Sequence, residues 1–308
     1  MHTELKITSH DELPLHVHIW EDVEKPVGIV QIVHGMAEHG ARYAEFASYL
    51  NKEGFIVIAD DHRGFGKSAA DTGNLGHLPY PDGFDAMVAD EEVVADFIKA
   101  RYPDIPHVIF GHSMGSFVTR VFLTKYHVDA AVLAGSGLQP DPLLRTGLFY
   151  ANLRAKSNAS KRSKILHKLS FYGFNREFAK EKHPFSWLSR DAAVHQAYME
   201  DPFGGQVVGS LGFYHSLLRG VEQSQNTETI ANTPKNLPLL LISGSKDPVG
   251  HLGKDVPKLA VKYEQAGVED VTLKMYEEAR HELTNEINKY TVFEDVVTWY
   301  KKHTKISR

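Results

Sequence analysis

The run Val108-Ile109-Phe110-Gly111-His112-Ser113-Met114-Gly115-Ser116-Phe117-Val118 constrains the fold more than any other part of this chain. An apolar, β-branched stretch enters a Gly-x-Ser-x-Gly pentapeptide, and Met114, Phe117, Val118, Val121 and Phe122 leave it at helical spacing. The pattern is that of a strand turning sharply into a helix with a serine on the turn, a nucleophile elbow. Gly111 and Gly115 flank Ser113 because so tight a turn leaves no room for side chains, while the strain exposes the serine oxygen. A plain Gly-Ser loop has the same five letters, so the neighbouring elements must decide.

They alternate as an α/β sheet requires. Residues 3–22 show period-two patterning on both sides of an Asp11-Glu12 turn and read as an antiparallel hairpin. Residues 28–33 form a short, almost continuous apolar strand, as expected when helices cover both sheet faces. Helical spacing over 42–53 ends at Gly54, and 55–59 is the next buried strand. A long helix over 84–102, closed by Pro103, leads into the elbow strand, and 128–134 is a further strand. Between 138 and 232 the alternation stops, replaced by aromatic-rich, basic and helix-prone segments. Strand signals return at 237–242 and 271–276 around a helix at 256–265, and an amphipathic helix over 284–300 closes the chain. The expected fold is α/β, a mostly parallel doubly wound sheet. Its core spans 1–137 and 233–308, and 138–232 is an inserted helical cap.

Composition removes several alternatives. With no cysteine there is no disulfide, thiolate nucleophile or cysteine-held metal, and a reducing, cytoplasmic setting is expected. The first residues lack a basic stretch leading into an apolar one, as a secretory signal would have, and no long uninterrupted apolar run suggests a membrane span. A formal net charge of -5 supplies no general attraction to phosphate backbones, so nucleic acid is not an expected partner. Residues 60–68 end in Gly-Phe-Gly-Lys-Ser, which superficially resembles a phosphate-binding loop. The required first glycine is replaced by Asp61, and Gly73 and Gly76 speak against a helix opening there, so no nucleotide is expected.

A serine hydroxyl is a poor nucleophile near neutral pH and needs a base within reach, itself oriented by a carboxylate. Asp247 lies just past the 237–242 strand and His281 just past the 271–276 strand. In an open parallel sheet the strands' carboxyl ends lie along one edge, so Ser113, Asp247 and His281 can converge there, in the chain order serine, acid, histidine. The developing oxyanion needs two backbone donors. One is the N–H of Met114. The other is the N–H of Met36, after the turn His34-Gly35 that ends the first parallel strand. His281-Glu282-Leu283-Thr284-Asn285 has the start of a zinc-protease helix but carries Asn285 where a second histidine is required, so neither metal nor cofactor is expected in the reaction.

Together, His34-Gly35-Met36-Ala37-Glu38-His39 with Arg42-Tyr43, Asp61-His62-Arg63-Gly64-Phe65-Gly66-Lys67-Ser68, the elbow, and Arg280-His281-Glu282 resemble the monoacylglycerol lipase and lysophospholipase branch of the α/β-hydrolases, also called serine-aminopeptidase-like. The resemblance spans nearly the whole chain and is weaker in the cap. Phe65 stands where a histidine is common in that loop, a difference expected to alter packing. The resemblance implies Ser113 as nucleophile, Asp247 and His281 as its partners, Met36 and Met114 as oxyanion donors, and a small lipid-like ester as substrate. An aminopeptidase or acyltransferase would use the same triad. A non-catalytic binding module would require a broken triad or oxyanion loop, and this chain has neither. Within the expected cap, Arg154, Lys156, Lys161, Arg162, Lys164 and Lys168 form a basic run bracketed by Phe149-Tyr150, Phe171-Tyr172-Phe174, Phe185 and Trp187. The plain reading is a solvated helix face. The functional reading is transient contact with an anionic membrane surface, the aromatic residues taking the acyl chain.

Overall fold

The computed structural model describes residues 2–304. Its sheet has eight strands: β1 (His2–Thr8), β2 (Pro14–Trp20), β3 (Gly28–Val33), β4 (Phe55–Asp61), β5 (His107–His112), β6 (Ala130–Ala134), β7 (Leu239–Gly244) and β8 (Val271–Tyr276). Their spatial order is β1-β2-β4-β3-β5-β6-β7-β8. The hairpin β1–β2 joins β4 antiparallel, and every later pairing is parallel.

The near-continuous apolar strands follow from this geometry, because successive side chains point to opposite faces and both faces are covered. On β5, Ile109 enters one core with Val33, Leu133 and Leu241, while Val108 and Phe110 enter the other with Val30, Ile32 and Ile242. The helices are α1 (Ala44–Lys52), α2 (Gly66–Thr72), α3 (Gly83–Arg101), α4 (Met114–Phe122), α5 (Asp141–Asn158), α6 (Lys164–Ser170), α7 (Ala192–Glu200), α8 (Leu211–Gln225), α9 (Thr227–Ala231), α10 (Asp255–Gln265) and α11 (Lys289–His303). Side chains of α3, α4, α8 and α10 fill the first core, and those of α1 and α11 the second.

Two local expectations need correction. The loop after β4 does open a helix, α2. Its N-terminus is taken by the chain's own Asp61, whose carboxylate accepts the Lys67 N–H at 2.7 Å where a phosphate would have to sit. The closing helix starts later than its apolar spacing suggests. A 3₁₀ turn covers Leu283–Asn285, and buried Glu286 interrupts the chain by accepting the N–H groups of Arg280 (2.8 Å) and Arg190 (3.2 Å) before α11 begins.

Helices α5–α9 all lie between β6 and β7, and this segment adds no strand to the sheet. Within it, α8 packs on α3 and α4 and shares their core. Residues 178–198 instead pack over the β3 loop, where Phe178, Trp187, Leu188 and Tyr198 cluster with Ala37. Among the described residues, no helix is long and apolar enough to cross a membrane.

Candidate active site

Ser113 follows the last residue of β5 and precedes the first residue of α4, with φ 52° and ψ -120°. A non-glycine residue with this backbone is strained, and strain persists only where the surroundings enforce it. Here the Ser113 N–H donates to the Ala134 carbonyl at 2.9 Å, and its own carbonyl accepts the Ser116 hydroxyl at 2.6 Å. A Cβ on Gly115 would lie 2.0 Å from the Val33 carbonyl oxygen, and one on Gly111 would lie 2.8 Å from that of Gly115. Bare backbone at both places lets α4 press against β3. Ser113 itself is half-buried among buried neighbours.

Asp247 and His281 are brought together by the loops after β7 and β8. Both are buried, and His281 Nδ1 lies 3.0 Å from each carboxylate oxygen of Asp247. Asp247 Oδ1 also accepts the Val249 N–H at 2.9 Å, which fixes the carboxylate. An acceptor at Nδ1 puts the ring proton there and leaves Nε2 with its lone pair, the tautomer a general base requires. The His281 ring lies 4.8 Å from that of His112, the residue before Ser113, and 5.1 Å from Trp187. Met36 follows β3 at the same sheet edge, and a Cβ on Gly35 would sit 3.1 Å from Ser113 Cβ, so the β3 loop passes directly over the elbow. Met114 is the first residue of α4, and the first N–H groups of a helix have no acceptor within it. One sheet edge therefore carries Ser113 on a strained backbone, an imidazole oriented by a carboxylate, and the start of α4.

Reasoning from sequence missed what holds this edge in place. Glu38 is 3% exposed, and its Oε1 accepts the Gly35 N–H, the Tyr43 hydroxyl (3.0 Å) and His112 Nδ1–H (3.0 Å), while Oε2 takes Arg42 at 3.0 Å. Burial pushes the Glu38 carboxyl up, but the His112 hydrogen bond and the His112 and Arg42 charges outweigh it and hold it below the ordinary carboxylate range. The same pair raises His112 against its burial. His112 Nε2–H then reaches the His281 carbonyl at 3.4 Å, and Arg42 grips Glu282 with two bonds of 2.8 Å. One carboxylate thus ties the β3 loop, the elbow and the histidine loop together.

A second buried group sits behind it. His34 accepts the His62 N–H at Nε2 (2.9 Å) and donates from Nδ1 to the Gly35 carbonyl (2.8 Å). Burial and nearby His62 push His34 down to about 3, so it stays neutral. His62 stacks on it at 3.7 Å and donates to the His34 carbonyl at 3.0 Å. Burial lowers His62, but Asp60 and Glu91, at 2.9 and 3.0 Å, prevail and raise it. Residues 181–190 strap the histidine loop from outside: Arg280 pairs with Glu181 (2.8 Å) and the carbonyls of Ser186 and Ser189, and the Glu282 N–H donates to the Leu188 carbonyl at 2.7 Å. These residues carry one usable sequence signal, charges crowded beside buried strand ends. Their partners lie too far along the chain to be paired from it.

Beside Met36 lies a narrow apolar gap of about 10 Å³, roughly the room of one water, lined by Phe65, Phe171, Val207, Phe213 and Tyr214. Phe65 meets His34 and Phe213 edge-on, which is the packing role expected of it.

The fold is that of the α/β-hydrolases: a thermostable carboxyl esterase from Bacillus coagulans superimposes with a TM-score of 0.92 at 28% identity over 99% of both chains. Residues 24–288 match the family described as serine aminopeptidase, S33, and the chain belongs to that family. It is 28% identical to the monoacylglycerol lipase of Mycolicibacterium smegmatis over 92% of each chain. It is also 28% identical to the monoglyceride lipase of Mus musculus, over 92% of this chain and 86% of the mouse protein.

Proposed function

We propose that this chain hydrolyses carboxylic esters of small lipid-like substrates, foremost a monoacylglycerol and secondarily a lysophospholipid, through an acyl-enzyme. His281 Nε2 takes the Ser113 proton as the oxygen attacks the ester carbonyl, and Asp247 stabilises the imidazolium. The N–H groups of Met36 and Met114 receive the oxyanion, with the N-terminus of α4 adding favourable dipole. His281 returns the proton to the leaving alcohol. Water then repeats the sequence on the acyl-enzyme and restores Ser113. The observation that carries the reading is a strained Ser113 at the same sheet edge as the buried Asp247–His281 pair. Relatives named for lipase and esterase activity favour an ester over the peptide bond in the family's description. A fluorophosphonate probe is expected to label the parent and leave Ser113→Ala unlabelled. Equal labelling of that variant would move the nucleophile elsewhere.

Residues 138–232 serve in this proposal as a cap rooted in the core by α8. The cap also supplies a surface for a cytosolic enzyme to touch lipid transiently. On α6, Ile165 and Leu169 are exposed alongside Lys164 and Lys168, and on α5 Leu143, Phe149 and Leu153 are exposed near Arg154. Apolar side chains interleaved with basic ones suit an anionic bilayer surface, where each cation adds about 1 kcal/mol.

A further inference from the structure

On the antiparallel side of the sheet, one face of the β1–β2 hairpin gathers His2, Glu4, His16 and His18. The register pairs Glu4 with His18, His2 with Trp20 and Lys6 with His16, and the two-residue alternation of each strand puts this set on one face. His18 is fully buried, whereas His2 and Glu4 are exposed, so the group has an inner floor and an open mouth.

The tautomer of His18 is set from behind. Its Nε2 lies 3.0 Å from Asp61 Oδ1, and Asp61 is itself held by the N–H groups of Gly40 (2.8 Å) and Lys67 (2.7 Å). A carboxylate so placed directs Nε2–H towards Asp61 and turns Nδ1 towards the mouth. That Nδ1 lies 3.2 Å from His2 Nε2 and 3.6 Å from Glu4 Oε1. His18 Nδ1, His2 Nε2 and Glu4 Oε1 thus converge at the mouth of the group, each able to offer a lone pair to a cation. Glu4 Oε2 is occupied, by His16 Nε2 at 2.9 Å and by the Lys67 ammonium, which leaves Oε1 as the inward atom. The His2 ring is steadied by stacking on Trp20 at 4.6 Å.

We infer that His2, Glu4 and His18 form a binding site for a divalent transition ion of the zinc class, separate from the ester chemistry. Two imidazoles and one carboxylate suit zinc, copper or nickel better than calcium or magnesium. Ligand bonds of about 2.0–2.2 Å in a tetrahedron separate the donor atoms by roughly 3.3 Å, which the two separations at His18 bracket. The Asp61–His18 hydrogen bond is the outer-shell contact that orients such an imidazole ligand, and His16 does the same for Glu4. Lys67 beside Glu4 offsets part of the carboxylate's charge, which lowers the expected affinity. Water takes the fourth position at the open mouth. An ion there would link β1 and β2 at one end of the sheet, and Asp61 would connect it to Gly40 and α2.

The test is calorimetric titration of the untagged full chain with zinc, together with the visible spectrum of the chain loaded with cobalt. One ion per chain is expected, with the intense cobalt bands of a four-coordinate site. His2→Ala and Glu4→Gln, both at exposed positions, should each weaken zinc at least tenfold and leave ester turnover unchanged. Failure of the parent to bind zinc stoichiometrically would overturn the inference. So would parent-like affinity in both variants, which would place the ion elsewhere, as at His10, Asp11 and Asp90.

Discussion

Glu38→Gln is the substitution through which the organisation of this edge can be tested most directly. It keeps the size of a 3% exposed side chain and removes the charge that receives Gly35, Tyr43, His112 and Arg42. Two of these partners are cationic or drawn towards it, and hydrogen bonds to charged groups contribute about 1.5–3 kcal/mol each. Arg42 keeps Glu282, so the loss concentrates on His112 and on whichever donor meets the new amide NH2. A destabilisation of about 3 kcal/mol follows, within the range for opening a buried pair. At about 2 °C per kcal/mol for a chain of this size, the unfolding midpoint should fall by about 6 °C. Turnover of a soluble p-nitrophenyl ester should fall ten- to a hundredfold, because the β3 loop that carries Met36 would be tied less firmly to His112 and the elbow. The pH dependence is the sharper measure. The folded Glu38 carboxyl lies below its unfolded value near 4.3, so its contribution is complete above that value and is lost as pH falls towards the folded one. His112 lies above its unfolded value near 6.5, so its share is present below that value and is lost as pH rises past the folded one. The stability gap between parent and variant should therefore be widest between about pH 4.5 and 6.5 and narrow on either side. Thermal unfolding across pH 3.5–9 would measure it, and a gap that is absent, or that widens below about pH 4, would refute the reasoning.

Asp247→Asn should leave the fold intact and lower turnover by about 10⁴, since the amide keeps the shape but loses the charge and the tautomer control at His281; steady-state kinetics showing near-normal turnover would move the acid role elsewhere. Gly115→Ala should fail to give folded protein, because the new methyl would have to occupy space 2.0 Å from the Val33 carbonyl; a cooperative, parent-like melting curve would show that α4 can retreat from β3. Replacing Lys161, Arg162 and Lys164 by Gln should weaken activity on anionic vesicles at low salt and spare a soluble short-chain ester, with the difference vanishing as salt shortens the screening length. Equal vesicle rates would leave this run a solvated helix face.

What could be read from the sequence was what is encoded over a few residues. Continuous apolar strands, helical spacing and the Gly111-x-Ser113-x-Gly115 turn are consequences of local sterics and of side-chain period, so the order of strands and helices and the strained serine were legible. That Asp247 and His281 would meet was legible too, because a parallel sheet sends all its strand ends to one edge whatever lies between them. The start of α2 was misread because its N-terminal anion is Asp61, a capping contact from the preceding strand. The helix expected from 284 was interrupted for a similar reason, since Glu286 spends its carboxylate on Arg280 and Arg190. Only the tertiary structure decides the rest: that Glu38 is the hub under the β3 loop, that burial pushes His34 down while Asp60 and Glu91 raise His62, and that residues 181–190 strap the histidine loop. Those properties depend on burial and on partners as far apart as Arg42 and Glu282, and desolvation and Coulomb forces act through space, where neighbours in the fold outweigh neighbours in the chain.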